Sequence, residues 1–275
     1  MAILPAVPGI TIVVLIDDTP TREYRPPCPP LPIDLNGGHD LPTTGCFIES
    51  QAEKAYEIGY RVSPNFFPDD TDLLILSIFI DGVLLDEWAV LKTQLNGRDY
   101  INKISYFQRD LPDSSPELYS MVFERLTMEE ADQATTNADL QRIKTLGTIK
   151  VVVGVAKGAT DLQKAPSFDD GKRNESLALS QKALVLDNHE RGHGTSYRKI
   201  DDNRVFDSPP LLAPDTQSLG CFVFCYRPHD FFEAWNMLDP SFIKHEVHGM
   251  QQPTQGSRAS IVPVGCTVVD LTGEQ

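Results

Sequence analysis

Five residues of this chain spell a zinc pattern. His189-Glu190-Arg191-Gly192-His193 reads as H-E-x-x-H, in which two imidazoles one helical turn apart hold zinc and the glutamate between them activates water. Taken literally, His189 and His193 are metal ligands and Glu190 is the general base of a zinc-dependent metallohydrolase. That chemistry needs a continuous helix, so that residues i and i+4 share a face. The neighbours oppose one: Asp187 and Asn188 favour a helix end, Gly192 and Gly194 weaken any helix between them, and Thr195 to Tyr197 reads as extended. Ser196 stands where a metzincin carries Gly, and the next helical stretch, near Glu233, is filled with aromatics. The bland alternative is a polar helix-to-strand turn with His193 opening the strand.

Other residue groups carry less chemistry. His245-x-x-His248 lacks Cys or carboxylates at ligand spacing. Asp69, Asp70 and Asp72 lack the alternating ligands and terminal bidentate Glu of a calcium loop. Cys221 and Cys225 share a strand face with Val223, as buried thiols do more often than redox pairs. No G-x-S-x-G elbow, P-loop or dinucleotide fingerprint is present. No cofactor is expected, and a non-enzymatic role leads over catalysis.

Near the C-terminus, Val268-Val269-Asp270-Leu271-Thr272, with Glu274 beyond, looks like a SUMO-interacting motif. A short β-prone aliphatic segment can add as a strand to a partner's sheet edge, while its acidic flank meets basic residues. The alternative is a terminal strand of the domain itself. The leading expectation is therefore a protein-interaction module with SUMO as a possible partner of Val268, Val269, Asp270, Leu271 and Thr272.

Composition sets the frame for these residues. A net charge of −15 without a dense Lys/Arg cluster opposes direct nucleic-acid binding and anionic lipid surfaces. The odd count of five cysteines (Cys28, Cys46, Cys221, Cys225, Cys266), with no C-x-x-C pair, argues against a disulfide framework or a zinc ribbon and for a reducing compartment. Met1 to Ile16 is apolar, but it lacks a basic start, contains Pro5 and Pro8 and runs into Asp17-Asp18, so a strand is expected rather than a signal peptide. The expected location is intracellular, cytoplasmic or nuclear, and the sequon Asn174-Glu175-Ser176 then carries no glycan. Composition does not fix the oligomeric state.

The elements that must position these residues are mostly strands. With 21 Pro and 18 Gly, turns abound. Ile10 to Ile16, a short strand near Tyr24, Phe47 to Ser50, Tyr56 to Val62, Leu73 to Ile80, Val83 to Leu91, Tyr100 to Phe107, Leu118 to Leu126, Thr148 to Ala156, Thr195 to Ile200 and Gly220 to Arg227 read as strands, and Asp81-Gly82 is a two-residue hairpin turn. Arg25 to Pro42 is a Pro-rich irregular excursion, with a proline-rich docking ligand as the alternative. Thr127-Met-Glu-Glu130 has the capping-box pattern of a helix start, Ala138 to Lys144 continues helical, Ser176 opens a helix through Leu186, and Pro228 begins an amphipathic helix with Phe231, Phe232, Trp235 and Leu238. The fold class expected is mainly β: an antiparallel sandwich or jelly-roll-like domain over 1–243, about eleven short strands with a few peripheral helices, and a flexible tail over 244–275.

Several short segments, in order, resemble a family. Phe47-Ile48-Glu49, Asp81-Gly82 after its apolar strand, Leu146-Gly147-Thr148-Ile149 leading into Val151 and Val153, His193-Gly194-Thr195-Ser196 and Phe222-x-Phe224-x-Tyr226-Arg227 are similar to an uncharacterised, mainly fungal family defined by a domain of unknown function. The resemblance spans Val7 to Phe242 and implies a β-sandwich-like fold with no established activity; Pro228 replaces the family's usual Ser. Fold analogy also raises a carbohydrate-binding sandwich, with Trp88, Tyr100, Tyr106 or Tyr119 stacking on sugars.

Overall fold

The computed structural model describes residues 2–26, 41–109, 117–157, 163–164, 177–186, 192–200, 211–212 and 216–243. The chain opens with Ala2–Ile3 (β1), Ile10–Ile16 (β2), Thr19–Pro20 (β3), Glu23–Tyr24 (β4), Thr43–Glu49 (β5) and Ala55–Val62 (β6). The hairpin Leu73–Ile80 (β7) and Val83–Leu91 (β8) follows, then Tyr100–Ile104 (β9), Phe107–Arg109 (β10), Glu117–Arg125 (β11) and Thr127–Glu129 (β12). After helix Gln133–Ile143 (α1) come Thr148–Ala156 (β13), Gln163–Lys164 (β14), Ala178–Ser180 (β15) and helix Gln181–Leu186 (α2). His193–Ile200 (β16), Leu211–Leu212 (β17), Gln217–Arg227 (β18) and helix His229–Ala234 (α3) complete the described elements.

Two large sheets dominate, as the alternating apolar segments require. One has the order β4-β5-β18-β13-β7-β8; the other follows β1-β2-β6-β11-β10, with β3, β9 and β16 pairing β2, β6 and β11. Pairing is antiparallel except where β5 lies parallel to β18 and β12 to β15. Ile12, Tyr60 and Phe123 from one sheet and Ile78, Val151 and Phe222 from the other belong to one buried cluster, so the sheets share a core. Period two on β18 sends Phe222, Phe224 and Tyr226 into that core and Cys221, Val223 and Cys225 into a second cluster on the outer face, closed by Phe231, Phe232 and Met237. The short strand expected near Tyr24 is β4, and the strand count exceeds the expected eleven because two-residue strands such as β3 and β14 leave no periodic signal.

Local signals misled in three places. Thr127 does not cap a helix: Thr127–Glu129 pairs with Ala178–Ser180, and α1 begins later, capped by Asp132, whose carboxylate accepts from Thr135 N at 2.7 Å. Likewise the next helix, expected from Ser176 to Leu186, covers only Gln181–Leu186 among the described residues; Ala178–Ser180 is extended, and Ser180 Oγ accepts from Ala183 N at 3.2 Å at the start of α2. Helix α3 does begin after Pro228, but its apolar face is shorter than expected. Asn236 at φ 51° turns the chain, so that Met237 is buried while Trp235 and Leu238 are exposed. The tail 244–275 and residues 27–40 of the Pro-rich excursion lie outside the described residues, and no described helix is long and apolar enough to cross a membrane.

Candidate functional site

The densest polar arrangement begins at a turn residue. Asp81 and Gly82 adopt φ values of 52° and 83°, the left-handed pair that a two-residue hairpin needs and that Asp and Gly tolerate best. This conformation turns the Asp81 carboxylate inward. Its Oδ1 accepts from Gly147 N at 2.8 Å and Thr148 N at 3.2 Å, and its Oδ2 from Thr195 N at 3.0 Å. The Tyr226 hydroxyl reaches both oxygens, at 2.7 and 2.8 Å. Thr195 Oγ1 lies 3.0 Å from Tyr226 Oη and 2.9 Å from Tyr56 Oη, and the Tyr56 ring stacks on Phe123 at 4.2 Å.

Proton counting fixes the direction of this chain when Asp81 is ionised. Tyr226 has one hydroxyl proton and gives it to the carboxylate, so Thr195 donates to Tyr226 and Tyr56 donates to Thr195. Burial pushes the Asp81 carboxyl above the usual range, and the bonds from Tyr226, Thr195, Thr148 and Gly147 pull it partly back. Burial also holds Tyr56 and Tyr226 well above the ordinary phenol range, which keeps both as donors. The hub joins the ends of β7, β13 and β18 in one sheet to β6 and β16 in the other, where no strand pairing connects the two among the described residues.

On the outer face the next residue forms a second lock. Arg227 is 1% exposed, and its Nη1 donates to Gly147 O at 2.9 Å and Tyr226 O at 2.7 Å. Its guanidinium lies 5.7 Å from the Phe47 ring and 5.8 Å from that of Phe231, within cation–π range. Residue Gly147 is thus held at its N–H by Asp81 and at its carbonyl by Arg227. With φ at 72° and a would-be Cβ 2.5 Å from Arg227 Nη1, only glycine fits there.

The histidine of the zinc pattern sits beside this lock in a different role. His193 opens β16, opposite Arg125, and its Nδ1 lies 2.7 Å from Ser50 Oγ. His193 itself is extended, where H-E-x-x-H chemistry uses a helical second histidine, whereas His189 and Glu190 lie outside the described residues. Burial first, and then the Arg125 charge, lowers the His193 pKa, with Asp230 opposing. Among the described residues no group of three His, Cys, Asp or Glu is placed to hold a metal ion.

The remaining candidates separate. Val268, Val269, Asp270, Leu271 and Thr272 lie outside the described residues, as do His245, His248 and the Asn174 sequon. Cys46, Cys221 and Cys225 are buried, and burial pushes the Cys221 thiol up to about 11, so little thiolate forms there. Trp88, Tyr100 and Tyr119 pack against the main core, Tyr100 near Tyr60 at 6.2 Å and Tyr119 near Phe107 at 5.8 Å; Tyr106 is half-buried. Asp70 meets Lys157 at 3.5 Å on an exposed loop.

Sequence reasoning did not single out Asp81, Thr195, Tyr226 and Tyr56 as one network. A signal existed: each of the short segments Asp81-Gly82, Leu146-Gly147-Thr148, His193-Gly194-Thr195 and Tyr226-Arg227 supplies a group to the hub or the lock, and Phe47-Ile48-Glu49 supplies the ring under Arg227 and leads to Ser50.

Fold and site together define a mainly β domain of two large sheets joined by an inward-facing carboxylate. The family model described as a domain of unknown function (DUF7918) matches residues 9–241, and the chain belongs to that family. No curated protein and no solved structure matches the chain.

Proposed function

We propose that the chain is a non-enzymatic protein-interaction module, a rigid two-sheet domain carrying a C-terminal SUMO-docking strand. The observation behind this reading is how Asp81 is used. The Asp81 carboxylate accepts from three backbone amides and a tyrosine hydroxyl, so its acceptor capacity is spent on architecture, whereas a catalytic acid keeps capacity for substrate.

The docking half of the reading rests on the residue pattern of the tail. Val268, Val269 and Leu271 supply aliphatic side chains for a groove beside a partner's sheet edge, and Asp270 and Glu274 supply charge for a basic rim. Such a partner goes with a nuclear or cytoplasmic location. Titration of isotope-labelled SUMO with the full chain tests it. Shifts confined to one sheet edge, and abolished by the double substitution Val269→Ala and Leu271→Ala, are expected; unshifted resonances at high micromolar concentration end the SUMO reading.

A further inference from the structure

The second tryptophan has no role in the core. Trp88 packs against the main cluster, but Trp235 is 41% exposed and Leu238 37%. Both positions are fixed. Trp235 N donates to Phe231 O at 3.1 Å and its ring lies 5.9 Å from that of Phe231, while Met237 N returns to Phe232 O at 2.8 Å and anchors the turn between the two exposed side chains. A large aromatic held rigidly at the surface costs little conformational entropy when a partner covers it, which is why such side chains serve as interface anchors.

The surroundings specify what would cover it. From Pro228 to Ile243 the chain contains Asp230, Glu233 and Asp239 and neither Lys nor Arg; among the described residues the cations at its margin are Arg25, whose amide donates to Phe242 O at 2.7 Å, and the buried Arg227 under the Phe231 ring. Glu49 joins this rim from β5 through His229, whose Nδ1 lies 3.1 Å from Glu49 Oε1 and whose Nε2 lies 3.3 Å from Glu233 Oε1. Carboxylates at this spacing repel phosphate and anionic lipid and attract ammonium and guanidinium groups, which also stack on an indole face. Leu238 asks for an aliphatic neighbour beside the charge.

We propose that Trp235 and Leu238, with Asp230, Glu233 and Asp239 around them, form a docking face for a basic, aliphatic segment of a protein partner. The face rests on the interaction-module reading of the domain but not on the SUMO strand, and SUMO titration reads the tail alone, so either can fail without the other.

The probe is a capped, fluorescent peptide of alternating arginine and leucine, measured by anisotropy against the full chain. A second peptide with glutamate in place of arginine is the control. Expected are binding of the basic peptide, at least tenfold weaker binding in Trp235→Ala, near wild-type binding in Trp235→Phe, and a several-fold loss with a shallower salt dependence in Glu233→Gln/Asp239→Asn. Trp235→Ala gives up some packing on Phe231, so its melting curve is recorded beside the wild type; a variant folded at the assay temperature shows that loss of binding is not loss of fold. The proposal is overturned if the basic peptide does not bind, if Trp235→Ala binds it as tightly as wild type, or if the glutamate peptide binds equally well. Removal of residues 244–275 supplies one more arm: a tenfold gain in affinity would make the tail the occupant of this face and overturn an outside partner, and unchanged affinity supports one.

Discussion

Strand β18 ends in two adjacent residues that face opposite sides of one sheet, and the two sides accommodate burial of charge differently. On the inner side the Asp81 carboxylate is met by directed hydrogen bonds from four donors, three amides and the Tyr226 hydroxyl. On the outer side the Arg227 guanidinium lies between the Phe47 and Phe231 rings and gives hydrogen bonds to two carbonyls. A carboxylate has no use for the negative face of an aromatic ring, so it needs point donors; a guanidinium can spread its charge over ring faces. The inner lock should therefore be brittle and the outer one tolerant.

The largest expected effect is on the inner side. Asp81→Ala strips the acceptor from Gly147, Thr195 and Tyr226 at once, and at roughly 1–3 kcal/mol for each buried donor left unmet it should cost about 4 kcal/mol or more in denaturant titrations. A loss below 1 kcal/mol would mean that water satisfies those donors. Gly147→Ala comes next, because a methyl group 2.5 Å from Arg227 Nη1 at φ 72° strains both locks; about 3 kcal/mol is expected. Arg227→Met keeps the volume and lays a polarizable thioether between the two rings, so about 1–2 kcal/mol should be lost. A loss equal to that of Asp81→Ala would erase the asymmetry.

The smallest effect is a slope in pH. Burial raises the folded pKa of Asp81, so between the unfolded and folded values the native state holds more proton than the unfolded chain. Stability should then be greatest on the acid side of that window and fall as pH rises through the folded pKa. Chemical denaturation of wild type and Asp81→Asn across the acidic range isolates this, because Asp132, Asp239 and His193 titrate alike in both proteins. Subtracting the Asn variant should leave a stability that declines with rising pH. A flat difference, or one rising with pH, would show that the hydrogen bonds outweigh burial.

The elements were far more legible in the residues than the hub they build. Alternation marks β2, β6 and β13, and Asp81-Gly82 marks the β7–β8 turn, because these signals lie within a few neighbours. Thr127-Met-Glu-Glu130 carries a genuine local cap pattern, yet its partner strand at Ala178–Ser180 is remote, and tertiary pairing overrides the cap. Asp81 itself reads as an ordinary turn residue. What makes it a hub comes from groups 66, 114 and 145 positions away, a separation that no window of periodicity spans. The segment containing His193 supplies the amide of Thr195 to the hub, a contribution that carries no local pattern.

The parallel pairing of β5 with β18 has a consequence for synthesis. In the finished sheet β18 lies between β5 and β13, strands that leave the ribosome long before it. Until Gln217–Arg227 emerges, the nascent chain displays an open edge on each of these strands, and both the Asp81 hub and the seat of Arg227 are incomplete. The domain therefore closes almost at its end, and a ribosome stalled before residue 217 would present two apolar strand edges to chaperones and to other chains.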